Sequence, residues 1–499
     1  MSQAKVDIVL NEPVGTIAPQ IYGHFMEHLG ACIYDGCWVG RSSPIPNTDG
    51  FRNDVIAALR HIKASVIRWP GGCFADDYHW EDGVGPAESR PKRVNVHWGN
   101  VIDSNEVGTH EFVRFCQLVG AEPYFAGNLG SGSVREMRDW VEYCNFPDGS
   151  SLASKRAQNG SAMPLGVRYW GVGNENWGCG GNFTPEDYGT EYRRYSGYLR
   201  DFGDTPLFLI ACGPSGNDID WTRRFLTKIR KDFWSGTTIH GLAAHYYCGT
   251  AGTSSEYTED QWYQLLYQAA KMEALVIQQR ALLDAFDPER KIGLIVDEWG
   301  TWHPAEAGRN AAFLWQQNTI RDAQVAAITL NVFNRHADKV VMSNIAQTIN
   351  VLQAMILTED DRMVTTPTYH AYDLFSDHQG GESLRTIVKC APISLPTGHL
   401  DQLSVSSSLK GSVLTVTLAN ADCASSLEVR LRLIGGGTSQ SIDGTMLESR
   451  HGGIRALNCF DDPDNVGLTK WDRIAGAGTS ELTVQLELAG IAKLSIEVQ

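Results

Sequence analysis

Residues 167–177 read VRYWGVGNENW, an apolar run that ends at once in Asn174, Glu175, Asn176 and Trp177. Seven further apolar runs lie between residue 20 and about 345, and segments with the 3.6-residue period of helices separate them. The eight runs are IYGHF near 21, ASVIRW at 64, EPYFAGN at 122, VRYWGVG at 167, LFLIACG at 207, HGLAAHYY at 240, IGLIVDEW at 292 and KVVMSN at 339. Buried strands that alternate with helices are typical of a parallel α/β fold, and eight strands close a (β/α)8 TIM barrel.

A second pattern begins after about residue 380. Apolar and polar residues alternate in LSVSSSLK, SVLTVTLAN, LEVRLRLI, LTVQLELAG and AKLSIEV, which predicts a C-terminal antiparallel β-sandwich of jelly-roll-like form. The strand-like AKVDIVL precedes the barrel, and we expect residues 1–19 to join this sandwich. The expected domains are therefore the N-terminal strand segment 1–19, the barrel 20–380 and the sandwich 381–499.

Composition limits the partners of this 499-residue chain. A net charge of -16, without a basic run, argues against binding to nucleic acid or to anionic membranes. The N-terminus lacks the features of a signal peptide and no apolar run approaches 18 residues, so we expect a cytoplasmic protein. Eleven Cys occur without a CxxC pair, which favours buried thiols over a disulfide framework or a zinc site.

Two glutamates end barrel strands that face each other. Active sites of such barrels lie at the C-terminal ends of the strands, and Glu175 ends the fourth strand whereas Glu298 ends the seventh. Retaining hydrolysis of a glycosidic bond needs two carboxyl groups about 5–5.5 Å apart, one neutral and one ionised. Asn174 adds an amide that can bind a sugar hydroxyl beside the reacting carbon. This pair predicts a retaining glycosidase.

Other strand ends are polar as well. They supply Glu27, Arg68, Cys73, Asn128, His245, Tyr247, Trp302, Asn344 and Gln347. Each of these residue types also occurs as a turn or core residue, so the prediction depends on their convergence at one barrel mouth.

Five segments resemble the α-L-arabinofuranosidases of glycoside hydrolase family 51. They are GHFMEHLG at 23–30, RWPGGCFADDYHWEDGVGP at 68–86, YWGVGNENWGCGG at 169–181, DEWGTW at 297–302 and NIAQTINV at 344–351. The resemblance implies a clan A barrel with a sandwich, retaining chemistry without a metal or cofactor, and removal of non-reducing terminal α-L-arabinofuranosyl groups from arabinan- and arabinoxylan-derived oligosaccharides.

The resemblance also implies roles for individual residues. Glu175 would be the acid/base and Glu298 the nucleophile, and Arg68 would keep Glu298 ionised. The expected substrate-binding residues are Glu27, Arg68, Cys73, Asn174, Trp177, His245, Tyr247, Trp302 and Gln347. Two departures from the family pattern, Cys73 and the loop 176–181, are expected to border the pocket entrance. Homo-oligomers, among them hexamers, are common in the family.

Four alternatives are weaker. His24, Glu27 and His28 fit the H-x-x-E-H motif of zinc peptidases, but that motif requires a helix and this segment reads as strand. No G-x-S-x-G elbow supports a serine hydrolase, and a sugar-binding protein has no need for paired glutamates. Endo-acting β-glucanase or xylanase activity on the same barrel stays open, because loops decide between exo and endo action.

Overall fold

The computed structural model describes residues 2–230, 237–249 and 251–499. In chain order the strands are β1 (Ser2–Thr16), β2 (Gly23–Phe25), β3 (Asn47–Thr48), β4 (Phe51–Arg52), β5 (Val66–Trp69), β6 (Arg93–Asn95), β7 (Val101–Asp103), β8 (Glu122–Gly127), β9 (Tyr169–Val172), β10 (Phe208–Ala211), β11 (Gly241–Cys248), β12 (Gly293–Thr301), β13 (Val340–Ala346), β14 (Ile356–Glu359), β15 (Arg362–Thr365), β16 (Glu382–Lys389), β17 (Pro392–Leu395), β18 (Gly398–Asp401), β19 (Leu403–Lys410), β20 (Val413–Asn420), β21 (Leu427–Ile434), β22 (Ser439–Ser449), β23 (Val466–Lys470), β24 (Ile474–Ala475), β25 (Glu481–Leu486) and β26 (Ile491–Val498).

The helices alternate with the first half of these strands. They are α1 (Asn53–His61), α2 (Thr109–Val119), α3 (Val134–Asn145), α4 (Ser151–Gln158), α5 (Pro185–Ser196), α6 (Ile219–Arg230), α7 (Glu259–Ala270), α8 (Met272–Phe286), α9 (Ile320–Arg335) and α10 (Pro367–Phe375). Side-chain caps fix several starts: Ser133 accepts a hydrogen bond from the Glu136 amide, and Thr184 accepts one from the Asp187 amide.

Eight of the strands close into a parallel barrel in the order β2-β5-β8-β9-β10-β11-β12-β13. These are the eight apolar runs of the sequence, so the predicted barrel is confirmed. Its interior is filled by side chains, among them Val66, Tyr124, Tyr169, Ile210 and Ile295. The packed interior forces substrate to bind at the mouth rather than inside the barrel.

The C-terminal strands form one sheet in the order β23-β22-β26-β20-β19-β16-β1-β21-β25-β24. Strands β16 and β19 pair at only two positions, Glu382 with Leu409 and Ser383 with Ser408. The strands on the two sides of this junction share one apolar core. The sheet therefore folds over itself into the predicted sandwich. One pair departs from the antiparallel expectation: β1 runs parallel to β21. Strand β1 comes from the opposite end of the chain, so no short hairpin connects it to β21 and requires the two strands to be antiparallel.

The cysteines depart from the expectation of thiols alone. Cys73 and Cys179 form a disulfide, with their Cα atoms 5.5 Å apart and a sequence separation of 106. A pair this distant has no spacing signature, and only the barrel brings the two loops together. The other nine cysteines are free. Among the described residues, no helix is both long enough and apolar enough to cross a membrane.

Candidate active site

Glu298 is held by hydrogen bonds at the barrel mouth. Arg68 donates a hydrogen bond from Nη1 to Oε1 over 2.7 Å, and the Tyr247 hydroxyl donates to Oε2 over 2.9 Å. The side chain of Glu298 is 6% exposed. Burial raises its pKa, and the His245 ring and the Arg68 guanidinium act in the opposite direction. These partners hold the carboxylate in one orientation, as attack on a carbon atom requires.

Glu175 stands on a turn in an unusual backbone conformation. Its φ of 40° lies in the left-handed region, which non-glycine residues adopt rarely and often at functional sites. The amides of Gly178 and Gly180 donate to its carbonyl oxygen and hold the turn. The disulfide fastens the same loop to the loop after β5, and Cys179 Sγ lies 3.6 Å from Glu175 Oε2. The side chain is 18% exposed, more than that of Glu298.

The two glutamates converge on His245. Its Nδ1 atom lies 2.8 Å from Glu175 Oε1 and 3.4 Å from Glu298 Oε2. One carboxylate oxygen of each glutamate lies within 4.8 Å of the other. This spacing agrees with the roughly 5–5.5 Å of retaining glycosidases and is shorter than the roughly 6.5–9.5 Å of inverting ones.

A bulge in β12 brings Glu298 to this position. Strand alternation places Ile295 and Asp297 on the inner face and would direct Glu298 outward. The register with β13 shifts between Val296 and Trp299, and there Glu298 also enters the mouth. Two consecutive carboxylates, Asp297 and Glu298, therefore face the same centre.

Asn174 is fixed by Arg68 and Asp76. Arg68 Nη2 donates to Asn174 Oδ1 over 2.5 Å, and the backbone N–H of Asn174 donates to Asp76 Oδ2 over 2.8 Å. Asp76 also accepts from the amides of Leu129 and Gly130, which joins the loops after β5, β8 and β9. Burial raises the pKa of Asp76 to about 7, although these amides oppose the rise. The Asn174 Nδ2 group has no partner among the described residues.

Glu27 is a third carboxyl group in the pocket. It accepts hydrogen bonds from the Phe74 amide, Trp98 Nε1 and Gln347 Nε2, over 3.1, 2.9 and 3.0 Å. Burial, with a smaller contribution from Glu298, raises its pKa to about 7. The adjoining loop approaches so closely that a Cβ on Gly71 would lie 2.5 Å from Glu27 Cγ. Glycine is therefore required there.

Aromatic rings stand at the edge of the pocket. Trp302 is 37% exposed and meets the ring of Tyr247 edge to face, with the ring centroids 5.2 Å apart. Trp98, which donates to Glu27, is half-buried against the barrel core. Such rings offer the flat apolar faces on which sugars commonly rest.

The structure brings most of the predicted site residues together by direct contacts. Arg68, Asn174, Glu175, His245, Tyr247, Glu298 and Trp302 are linked in this way, and Cys73 lies beside Glu175 through its disulfide. Glu27 and Gln347 contact each other, and Glu27 adjoins Gly72, which also adjoins Glu298. Trp177 differs from them, since its contacts are with the apolar residues of the barrel core. Asn128 and Asn344 bind backbone groups, Asn128 those of residues 78, 131 and 132 and Asn344 the His24 carbonyl.

The H-x-x-E-H segment does not form a metal site. His24 lies on strand β2 and packs against Tyr372, whereas His28 pairs with Asp103 and Glu27 faces the pocket. Among the described residues, two groups of side chains lie close enough to share an ion: Glu175, His245 and Glu298, and a second group of Cys73, Glu175 and Cys179 whose two sulfur atoms are already joined in the disulfide. Neither group includes His24 or His28. The zinc-peptidase alternative is therefore wrong, because a strand directs the motif residues to different surroundings.

Four residues of the site were missed by sequence reasoning: Asp76, Trp98, Tyr124 and Asp297. A signal existed for Asp297, because alternation from the buried Ile295 places it on the inner face of β12. Tyr124 donates to Asp297 Oδ2 over 2.7 Å. Asp76 and Trp98 lie on loops, where no periodicity shows which side chains turn inward.

Two family models match the chain: the alpha-L-arabinofuranosidase 1 domain over residues 58–262 and the alpha-L-arabinofuranosidase C-terminal domain over residues 297–488. An intracellular exo-alpha-L-arabinofuranosidase of Bacteroides ovatus is 39% identical over 490 residues, which cover 97% of this chain and 93% of that protein. The crystal structure of a GH51 arabinofuranosidase from Xanthomonas axonopodis pv. citri superposes with a TM-score of 0.95 at 39% identity, over 99% of this chain and 100% of that chain. An alpha-L-arabinofuranosidase from Thermotoga maritima, in complex with arabinose, superposes with a TM-score of 0.86 at 27% identity over the same shares.

Proposed function

The chain belongs to the α-L-arabinofuranosidases of glycoside hydrolase family 51, and from this premise we propose a retaining, exo-acting enzyme with Glu175 as acid/base and Glu298 as nucleophile. Its substrates are non-reducing terminal α-L-arabinofuranosyl groups of arabinan- and arabinoxylan-derived oligosaccharides. The observation that carries the proposal is the approach of the two carboxylates to within 4.8 Å at the barrel mouth.

The reaction proceeds by double displacement. In the first step the Glu298 carboxylate attacks the anomeric carbon while Glu175 gives its proton to the departing glycosidic oxygen. In the second step Glu175 takes a proton from water, and that water displaces Glu298 from the sugar. The greater exposure of Glu175 fits this role, because the acid/base must reach both the leaving group and water.

The remaining polar residues hold the nucleophile or orient the furanose ring. Arg68 and Tyr247 hold Glu298, and the unpaired Nδ2 group of Asn174, which has no partner among the described residues, is a donor for the hydroxyl next to the anomeric carbon. Glu27 and Gln347 form a second polar contact region, and Trp302 covers the sugar from the rim. A hydrogen bond to the 2-hydroxyl that strengthens in the transition state contributes to the rate.

The test is release of nitrophenol from p-nitrophenyl α-L-arabinofuranoside by the wild type, Glu298→Ala and Glu175→Ala. The matched control is Glu142→Ala, a buried glutamate on α3 that pairs with Arg138 away from the mouth. We expect both site variants to lose on the order of 10⁴-fold in kcat/KM on a poor leaving group. Only Glu175→Ala should recover on p-nitrophenyl α-L-arabinofuranoside, whose leaving group is activated; the poor leaving group is the sugar hydroxyl of an arabino-oligosaccharide, assayed in parallel by release of arabinose. Equal losses on all leaving groups would contradict the assignment of Glu175.

Exo action is separated from endo action by substrate choice. Soluble β-glucan, xylan and the β-xyloside and β-glucoside of p-nitrophenol serve as comparison substrates. Arabinose as the sole early product supports the proposal, and internal cleavage of a polymer would transfer the function to the endo-acting alternative. Proton NMR of the first-formed arabinose distinguishes retention from inversion at the anomeric carbon.

Location and assembly are also part of the proposal. We place the enzyme in the cytoplasm, where it degrades imported oligosaccharides from hemicellulose, because the Bacteroides relative is named intracellular. A homo-oligomer, with a hexamer as the specific expectation, is checked by native mass spectrometry. A monomer at micromolar concentration would contradict it.

A further inference from the structure

His245 is enclosed by three carboxylates. Its Nδ1 atom lies 2.8 Å from Glu175 Oε1 and 3.4 Å from Glu298 Oε2, and its Nε2 atom lies 3.1 Å from Asp297 Oδ1. The ring is 8% exposed, so water does little to screen these charges. An imidazole with a carboxylate at each nitrogen is favoured in its doubly protonated form.

Asp297 is held as an anion at the inner side of this ring. It is 2% exposed, accepts a hydrogen bond from the Tyr124 hydroxyl over 2.7 Å and lies 3.5 Å from Arg68 Nε. Burial alone would raise its pKa, but Arg68 and His245 bring the pKa of Asp297 down to about 2. A permanent anion beside Nε2 keeps a proton on that nitrogen. Nδ1 is then the only ring atom that can exchange a proton with Glu175.

The backbone of His245 is fixed by the neighbouring loop. Its amide donates to the Pro214 carbonyl, and its own carbonyl accepts from the Gly216 amide. The register between β11 and β12 shifts between Ala243 and His245. These contacts hold the ring between the two strand ends that carry Glu175 and Glu298.

We propose that His245 carries the catalytic proton in the resting enzyme and passes it to Glu175, with Asp297 and Tyr124 as positioning residues for this transfer. This inference rests on the proposed role of Glu175 as acid/base. The Nδ1–H bond breaks and an O–H bond forms on Glu175 Oε1, so an imidazolium and a carboxylate become a neutral imidazole and a carboxylic acid. The net charge of the site does not change.

The substrate supplies the driving force for the transfer. Positive charge develops on the sugar during bond cleavage, and it repels an imidazolium that lies between the two glutamates. The transfer to Glu175 and the protonation of the leaving oxygen by Glu175 take place together with this bond cleavage, so that the oxygen departs as a neutral hydroxyl. In the second step the proton from water returns to Glu175 and then to Nδ1, as Glu298 regains its charge.

The pH dependence is set by all groups around the ring. The charged and titratable side chains around the ring are Glu175 after β9, Cys212 after β10, Tyr247 on β11, Asp297 and Glu298 on β12, Arg68 on β5 and Tyr124 on β8. Glu27 and Asp76 are two further carboxyl groups of the same mouth. Burial lowers the pKa of His245, but Glu298, Asp297 and Glu175 together raise it to about 10. We therefore expect activity to fall on the alkaline side when this shared proton is lost.

The direct test is ¹⁵N NMR of histidine-labelled wild-type protein, with the His245 signals assigned by their absence in His245→Gln. At about pH 8 an ordinary histidine is neutral, but we expect imidazolium signals for His245 in the free enzyme. In the glycosyl-enzyme trapped with a 2-fluoro arabinofuranosyl donor, the signals should change to those of a neutral ring protonated at Nε2. A neutral His245 in the free enzyme, or the same charge in both states, would overturn the proposal.

Substitution at Asp297 gives a second test. Asp297→Asn keeps the shape and removes one anion, so the alkaline limb of kcat/KM should move to lower pH by about 1 unit or more. Tyr124→Phe should shift the limb less. The matched control is Tyr78→Phe, whose hydroxyl has no partner among the described residues. If Asp297→Asn lowered kcat/KM equally at every pH and left the alkaline limb unmoved, Asp297 would have only a structural role and its proposed positioning role would be overturned.

The two proposals fail in different ways. The charge of His245 in the free enzyme is measured without turnover, so it does not depend on which sugar is cleaved. Full activity in Glu175→Ala would refute the proposed acid/base, whereas a neutral His245 together with an inactive Glu175→Ala would refute only the proton transfer.

Discussion

Replacing Glu27 by glutamine should stabilise the free enzyme, and the gain should grow with pH. The carboxyl group is 2% exposed, and burial together with Glu298 raises its pKa from 4.5 to about 7. An unfolded chain releases this proton near pH 4.5 but the folded chain holds it until about pH 7. Unfolding therefore releases a proton between these values, and the free energy of unfolding falls as pH rises through this window.

The size of the effect follows from the same values. The rise in the pKa of Glu27 from 4.5 to about 7, at about 1.36 kcal/mol per pKa unit, costs the wild type roughly 3 kcal/mol above pH 7. In Glu27→Gln the neutral amide has no such cost and keeps an oxygen for the Phe74 amide and Trp98. The new amino group faces Gln347 Nε2, but rotation of the Gln347 amide offers Oε1, which lacks a partner among the described residues. We expect a net gain of about 1–3 kcal/mol after this rearrangement.

The assay is denaturant unfolding of wild type and Glu27→Gln at several pH values from about 4.5 to 8. The free energy of unfolding of Glu27→Gln minus that of the wild type should be smallest near pH 4.5, should rise with pH and should level off above about pH 7. The control is the same substitution in a Glu298→Gln background, where the gain should be smaller because one repelling charge is absent. A difference that stays constant with pH, or one that falls as pH rises, would refute the reasoning.

Three further predictions concern residues that surround Glu175 and Glu298. Reducing the Cys73–Cys179 disulfide should lower the free energy of unfolding by about 2–5 kcal/mol, and a Cys73→Ser/Cys179→Ser variant should no longer respond to reductant in the same melt. Gly72→Ala should lower kcat/KM by about 10²-fold with little loss of stability, since the new Cβ would lie 2.9 Å from Glu298 Oε1; unchanged kinetics would show that the loop yields. Tyr247→Phe should lower kcat by about 10- to 100-fold, because a hydrogen bond to a charged carboxylate is lost, and steady-state rates equal to the wild type would contradict this.

The architecture was accessible from sequence because it depends on periodicity. Each barrel strand is a continuous apolar run, since parallel strands are covered on both faces, and the sandwich strands alternate because one face meets water. The acid/base and nucleophile candidates were accessible for a related reason. Strand ends point to one mouth in a barrel, so Glu175 and Glu298 could be paired from their positions along the chain.

Contacts across the mouth were decided only by the tertiary structure. Nothing in the sequence joins Cys73 to Cys179, or shows that Tyr124 and Asp297 meet at His245, because these residues come from strands and loops far apart in the chain. The β12 bulge overrides alternation and turns Glu298 inward beside Asp297. The sequence by itself determined which strands form and which end carries the chemistry. The closed barrel decided which charges lie within a few ångströms of each other, because electrostatic coupling depends on distance in space and not along the chain.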